Sequence, residues 1–177
     1  PVFSAALATG RHRAYFGALA RDNPSWWPVF FRYACTHSPS AGAMQEVYAA
    51  RVAADVATLD ERGCLIERLQ RDGLWTGAYL VWLNGLPLEQ RQRVGYVFNG
   101  GFELPLSNSG FDWKIPVQEG VVVSTEPGDG ITGALALNVT FVNQRYAGPT
   151  VYQYLLLAPG RYRLEGRARS DLNAGLG

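Results

Sequence analysis

The stretch Ala134-Leu135-Ala136-Leu137-Asn138-Val139-Thr140-Phe141 decides how the second half of this chain is read. Leu135, Leu137, Val139 and Phe141 share one face, and Ala136, Asn138 and Thr140 share the other. That is the pattern of a half-buried strand in an antiparallel sheet. Outward from it, period-two runs bounded by Gly, Pro, Asn and Asp recur at Tyr96 to Leu104, Trp113 to Ile115, Gly120 to Thr125, Val151 to Leu157 and Arg161 to Arg169. Short strands at this spacing with turn residues between them predict an antiparallel β-sandwich, a jelly roll or a relative of it.

Upstream of Tyr96 the period is helical. Tyr15, Phe16 and Leu19 make one stripe within Arg11 to Ala20, and Asp22-Asn23-Pro24-Ser25 breaks it. Ser25 is the expected N-cap of an aromatic helix over Trp26 to Thr36, with Pro28 in its first turn. Ser38-Pro39 reads as a cap and a first helical position, opening a helix through Met44, Val47, Arg51 and Val56. Thr58 or Asp60 caps a helix over Leu65 to Gln70, Gly73 stops it, Trp75 to Leu83 follows, and Leu86-Pro87 begins a last short helix ending near Arg93. The predicted fold is therefore α+β with two domains: helical hairpins over residues 1–93 and the sandwich over residues 94–177.

The helical half carries an internal echo. Leu19-x-Arg21-Asp22 precedes Trp26, and Leu69-x-Arg71-Asp72 precedes Trp75, each at a turn between helices. Self-similarity of this kind suggests hairpins that bury their apolar faces on one another. The segment Trp75, Ala78, Tyr79, Trp82 resembles the first helix of a tetratricopeptide-type repeat, over one hairpin only. Trp26, Trp27, Phe30, Tyr33, Trp75, Tyr79 and Trp82 stand at the spacing of a buried stripe, and core packing is favoured over an aromatic groove for a peptide or sugar.

Composition narrows the function classes. Of 177 residues, 47% are hydrophobic and 18% charged, which suits a folded protein with a real core. A net charge of +1 gives no support to nucleic-acid binding. Lys114 is the one lysine among sixteen Lys and Arg residues, and with abundant Ala and Gly this suggests a bacterial, GC-rich origin. The longest apolar runs, Trp26 to Phe31 and Ala78 to Leu83, are too short for a transmembrane helix. The chain opens at Pro1 without Met, so an N-terminal piece is expected to have been removed. Cys35 and Cys64 form no metal-ligand motif; buried free thiols are favoured over a disulfide. His12 and His37 lie in different helices without an acid or hydroxyl at motif spacing.

The second half also carries a family resemblance. Asn99-Gly100-Gly101-Phe102-Glu103, Phe111-Asp112-Trp113, Gly130-x-x-Gly133-Ala134-Leu135-Ala136-Leu137 and Gln153-x-Leu155-x-Leu157-x-Pro159-Gly160-x-Tyr162-x-Leu164 follow in order. Residues 96–177 thereby resemble galactose-binding-like jelly rolls, the non-catalytic carbohydrate-binding modules appended to xylanases and related enzymes. The resemblance implies that Glu103 helps to hold a structural calcium, and that the final strands of such a module are missing beyond Arg167 to Gly177.

A sugar site of this kind stacks aromatic rings on the C–H face of a pyranose and reads hydroxyls with polar groups. Tyr152 and Tyr154 lie on the strand face opposite Gln153, Leu155 and Leu157, so with the leucines in the core the tyrosines make an outward platform. Tyr146 and Trp113 are candidates to extend it, with core packing of Trp113 and packing of Tyr152 and Tyr154 against the helical half as the plainer readings. Arg161, Arg163, Arg167 and Arg169 project from one side of the last run and would suit an acidic glycan, with a solvated edge as the plainer reading.

Catalysis finds little footing. Asp112, Glu119, Glu126 and Asp129 are the available acids, but Glu126-Pro127-Gly128-Asp129-Gly130 reads as a turn and no pair has a buried setting legible in the sequence. GxSxG, P-loop, HExxH and dinucleotide-binding motifs are absent. Asn138-Val139-Thr140 is a formal glycosylation sequon. The expectation is a non-catalytic, exported or envelope-associated bacterial protein that binds a polysaccharide without a cofactor. A protein-interaction scaffold is the first alternative and a polysaccharide-active enzyme the second.

Overall fold

The computed structural model describes residue 19 and residues 21–128, 133–142 and 149–170. Among these, five helices and one two-stranded antiparallel sheet follow in chain order. The helices are α1 (Trp27–His37), α2 (Ala41–Ala53), α3 (Leu59–Arg71), α4 (Trp75–Asn84) and α5 (Leu88–Arg91). The strands are β1 (Val121–Pro127) and β2 (Leu135–Phe141).

The helix boundaries follow local chemistry, with two corrections. Trp26, not Ser25, holds the N-cap position of α1, and the Trp27 N–H donates to Pro24 O at 2.9 Å. The cap of α2 is Ser40 rather than Ser38: its side chain accepts from Ala43 N at 3.2 Å. Ser38 closes α1, its N–H bonded to Ala34 O at 2.8 Å. Its hydroxyl is taken up by the Ser40 backbone, donating to Ser40 O at 3.1 Å and accepting from Ser40 N at 3.3 Å, so it does not cap the next helix.

Helix α3 begins at Leu59, six residues before the predicted Leu65, because Thr58 and Glu61 form a reciprocal capping box. Gly73, at φ +75°, ends it in a Schellman turn in which Leu74 N reaches Leu69 O at 2.8 Å and Gly73 N reaches Gln70 O at 3.1 Å.

Trp27, Phe31, Met44, Leu65, Ile66 and Leu69 are almost wholly excluded from solvent and bind α1, α2 and α3 together. A buried ion pair lies within this core. Glu61 accepts from Trp27 Nε1 at 2.7 Å, from Arg51 Nη2 at 2.9 Å and from Thr58 N at 3.0 Å. Arg51 also donates to Asn23 Oδ1 and Val56 O, and its guanidinium lies 4.8 Å from the Trp27 ring centroid. Each polar group removed from water is thereby given a partner, as burial of charge requires.

The sequence that decided the sheet does form a strand. β1 and β2 pair in register from Val121 opposite Phe141 to Pro127 opposite Leu135. The sealed face is not realised: Leu135, Ala136, Leu137, Asn138 and Val139 are all half-buried, and Phe141 is exposed. A sandwich is not formed among the described residues. Residues 96–104 turn instead, with Asn99 and Phe102 at φ +50° and +59°, and the Asn99 amide brackets both backbone groups of Leu104. Residues 113–115 and 151–157 meet only at an isolated bridge between Lys114 and Tyr152, and residues 161–169 have no strand partner.

Asparagine side chains account for part of this difference. Asn108, like Asn99, bonds backbone groups that a ladder would otherwise use, its Oδ1 accepting from Ile115 N at 2.9 Å. The core is continuous across the expected boundary at Arg93 and Val94. Phe98 and Phe111 are buried with Trp82 of α4 in the same cluster as the helical residues.

Candidate functional site: an aromatic pocket beside α4

Helix α4 presents Tyr79 and Trp82, three residues apart and on one face. Phe98 meets Trp82 edge-on at 5.0 Å between centroids, and Phe111 meets Tyr79 edge-on at 5.1 Å. Gly110 makes this approach feasible. It sits at φ +59°, and a Cβ there would overlap Trp82 Cδ1.

These rings floor a pocket of about 380 Å³, completed by Val94, Gly95, Tyr96, Tyr154 and Leu156. The floor is sealed and the rim is open: Trp82 and Phe111 are each 3% exposed, whereas Tyr96 is 74% and Tyr154 37% exposed. None of the lining side chains is charged, and the side-chain polar groups are three tyrosine hydroxyls and the Trp82 indole N–H.

Gln153 holds the rim in place. Its Nε2 donates to Phe98 O at 2.9 Å and its Oε1 accepts from Phe98 N at 3.2 Å, so a side chain replaces the missing strand partner. The neighbouring Tyr152 is fixed by its bridge to Lys114. Tyr154 then leans on Trp75 at 5.2 Å and on Tyr152 at 5.4 Å. A hydrogen bond to Tyr154 raises the Tyr152 hydroxyl pKa above its ordinary value, with burial adding to it.

Of the residues predicted from sequence, Tyr154 lines the pocket and Tyr152 supports it. The leucine half of that reading is corrected: Leu155 is exposed and Leu157 half-buried, because among the described residues no second sheet covers them. Trp113 lies away from the pocket, packed on Phe102 at 5.1 Å with its Nε1 donating to Asn99 O. Tyr146 falls outside the described residues, as does His12.

Arg161, Arg163 and Arg167 are exposed on a segment without strand structure, and Arg163 pairs with Glu165. Their side-by-side row is therefore not built as a strand face. His37 stacks on Tyr33 with ring centroids 4.1 Å apart and bonds its backbone carbonyl.

Glu103 serves the backbone. Its Oε1 accepts from Ala134 N at 2.8 Å and from Leu135 N at 3.1 Å, anchoring the start of β2. Gly133 leaves room for that carboxylate, since a Cβ would overlap it. Among the described residues no group of three or more His, Cys, Asp or Glu side chains is placed to hold a metal ion. No helix among them is long and apolar enough to cross a membrane.

Sequence reading missed Tyr96, Phe98, Phe111 and Leu156 as pocket residues. Tyr79 and Trp82 stood in the aromatic stripe, where core and groove were the competing readings; Trp82 is buried and also forms pocket floor. Comparison with known protein families, curated proteins and solved structures gives no match.

Proposed function

We propose that this chain is a non-catalytic carbohydrate-binding protein that holds a polysaccharide at the pocket between α4 and Tyr154. The observation that carries this reading is the uncharged aromatic lining with a buried floor and an exposed tyrosine rim. Rings of this kind stack on the apolar face of a sugar, and tyrosine hydroxyls exchange hydrogen bonds with its hydroxyl groups. Acid–base cleavage of a glycosidic bond needs two carboxylates facing each other, and the lining supplies none, which favours binding over hydrolysis. A polysaccharide ligand implies a periplasmic, envelope-bound or secreted bacterial protein.

Retarded migration in gels cast with neutral or acidic polysaccharide tests this. Tyr96→Ala with Tyr154→Ala should abolish retardation while the chain stays folded by circular dichroism. Unchanged retardation in that double variant removes the pocket from the site.

A scaffold for a protein partner is the second reading. Its support is the exposed apolar run of Leu155, Leu156, Tyr162 and Leu164 along a segment without strand partners beyond Tyr152. Capture of a defined peptide that displaces no polysaccharide would favour it.

A further inference from the structure

Cys35 of α1 and Cys64 of α3 are both free thiols, the first buried and the second half-buried. Arg68 stands one turn after Cys64 on α3, and its Nη1 donates to Cys35 O at 2.9 Å. That bond holds the Cys35 backbone against the face of α3 that carries Cys64, and Cys64 packs against the same core cluster that contains Cys35. We propose that Cys64 and Cys35 form a thiol–disulfide exchange site, an attacking and a resolving cysteine that close a reversible bridge between α1 and α3.

The surroundings divide the roles. The hydrogen bond from Cys35 lowers the Cys64 pKa, with Arg32 and Arg71 adding to the effect against burial and Glu67. Cys35 is pushed the other way, by its bond to Cys64 and by burial. Cys64 thiolate attacks a small-molecule disulfide, oxidised glutathione for example, forming a mixed disulfide and expelling one glutathione thiolate.

The mixed disulfide no longer carries the thiolate that holds the proton on Cys35, while Arg68 and Arg71 still favour its loss. Cys35 gives that proton to solvent, attacks the Cys64 sulfur and expels the second glutathione thiolate. Overall, two protein thiols are oxidised to one disulfide, and one glutathione disulfide is reduced to two thiols. The bridge closes a loop of the length at which cross-links restrict the unfolded chain, so a rise in Tm of roughly 5 to 10 °C is expected.

The full chain, reduced and then equilibrated across ratios of oxidised to reduced glutathione, is quenched, alkylated and read by peptide mass spectrometry. The expected result is a Cys35–Cys64 linked peptide, with Cys35→Ser accumulating a single glutathione adduct on Cys64. Two alkylatable thiols at every ratio in the wild-type chain would overturn the proposal, as would adducts on both cysteines without a linked peptide. The wild-type mapping decides the matter even if Cys35→Ser fails to fold.

Discussion

The side-chain amide of Gln153 pairs with both backbone groups of Phe98, donating to the carbonyl at 2.9 Å and accepting from the N–H at 3.2 Å across 55 positions of sequence. It binds the Tyr152–Tyr154 segment to the loop that carries a wall of the pocket. Gln153→Ala leaves both Phe98 groups unpaired and should destabilise the chain by about 1–3 kcal/mol. Polysaccharide retardation should weaken with it. Urea denaturation and affinity gels check the two effects separately.

The Arg51–Glu61 pair answers to a different rule. Glu61→Leu strands a buried guanidinium and removes the acceptor of Trp27 Nε1, and should cost about 3–5 kcal/mol. The double change Arg51→Met with Glu61→Leu should cost much less, because no unpaired charge remains. Equal losses in the single and double variants, measured by denaturant midpoint, would contradict this account.

Tyr152 supplies a pH signature of the rim. Its hydroxyl is raised above the ordinary tyrosine value by the hydrogen bond to Tyr154. A raised folded-state pKa means that the contribution to stability is complete below the unfolded tyrosine value, about 10, and is lost as pH rises through the folded value. Tyr154→Phe removes the partner, so the Tyr152 titration should move down toward normal in ultraviolet difference spectra.

Chelation distinguishes the two roles considered for Glu103. Its carboxylate holds Ala134 and Leu135 N–H groups at the start of β2. Added EDTA should therefore leave Tm unchanged, whereas Glu103→Ala should cost about 1 kcal/mol through the lost backbone bonds. A fall in Tm on chelation, restored by calcium, would return the carboxylate to a metal site.

Much of the helical half was legible because its signals are local. Thr58 with Glu61, Gly73 after Arg71, and Pro28 in a first turn act within a few residues of where they stand. Where reading failed, a neighbour had already claimed the group, as the Ser38 hydroxyl was claimed by the backbone of Ser40. In the second half, alternation located β1 and β2 but over-read the remaining runs. Period two states that a segment is able to lie in a sheet, and a ladder also needs a partner strand, which residues 161–169 lack in the described structure.

Sequence alone determined the change from helical to extended periodicity near residue 94, the positions of the two runs that become β1 and β2, and the aromatic character of α4. Tertiary structure decided which rings share a pocket, because Trp82, Phe98, Phe111 and Tyr154 come from four separated segments and meet only after Gly110 permits close approach and Gln153 ties the last segment down. Local patterning is set by the spacing of neighbours along the chain. A pocket is set by which distant surfaces exclude water together, and that depends on the packing of the whole.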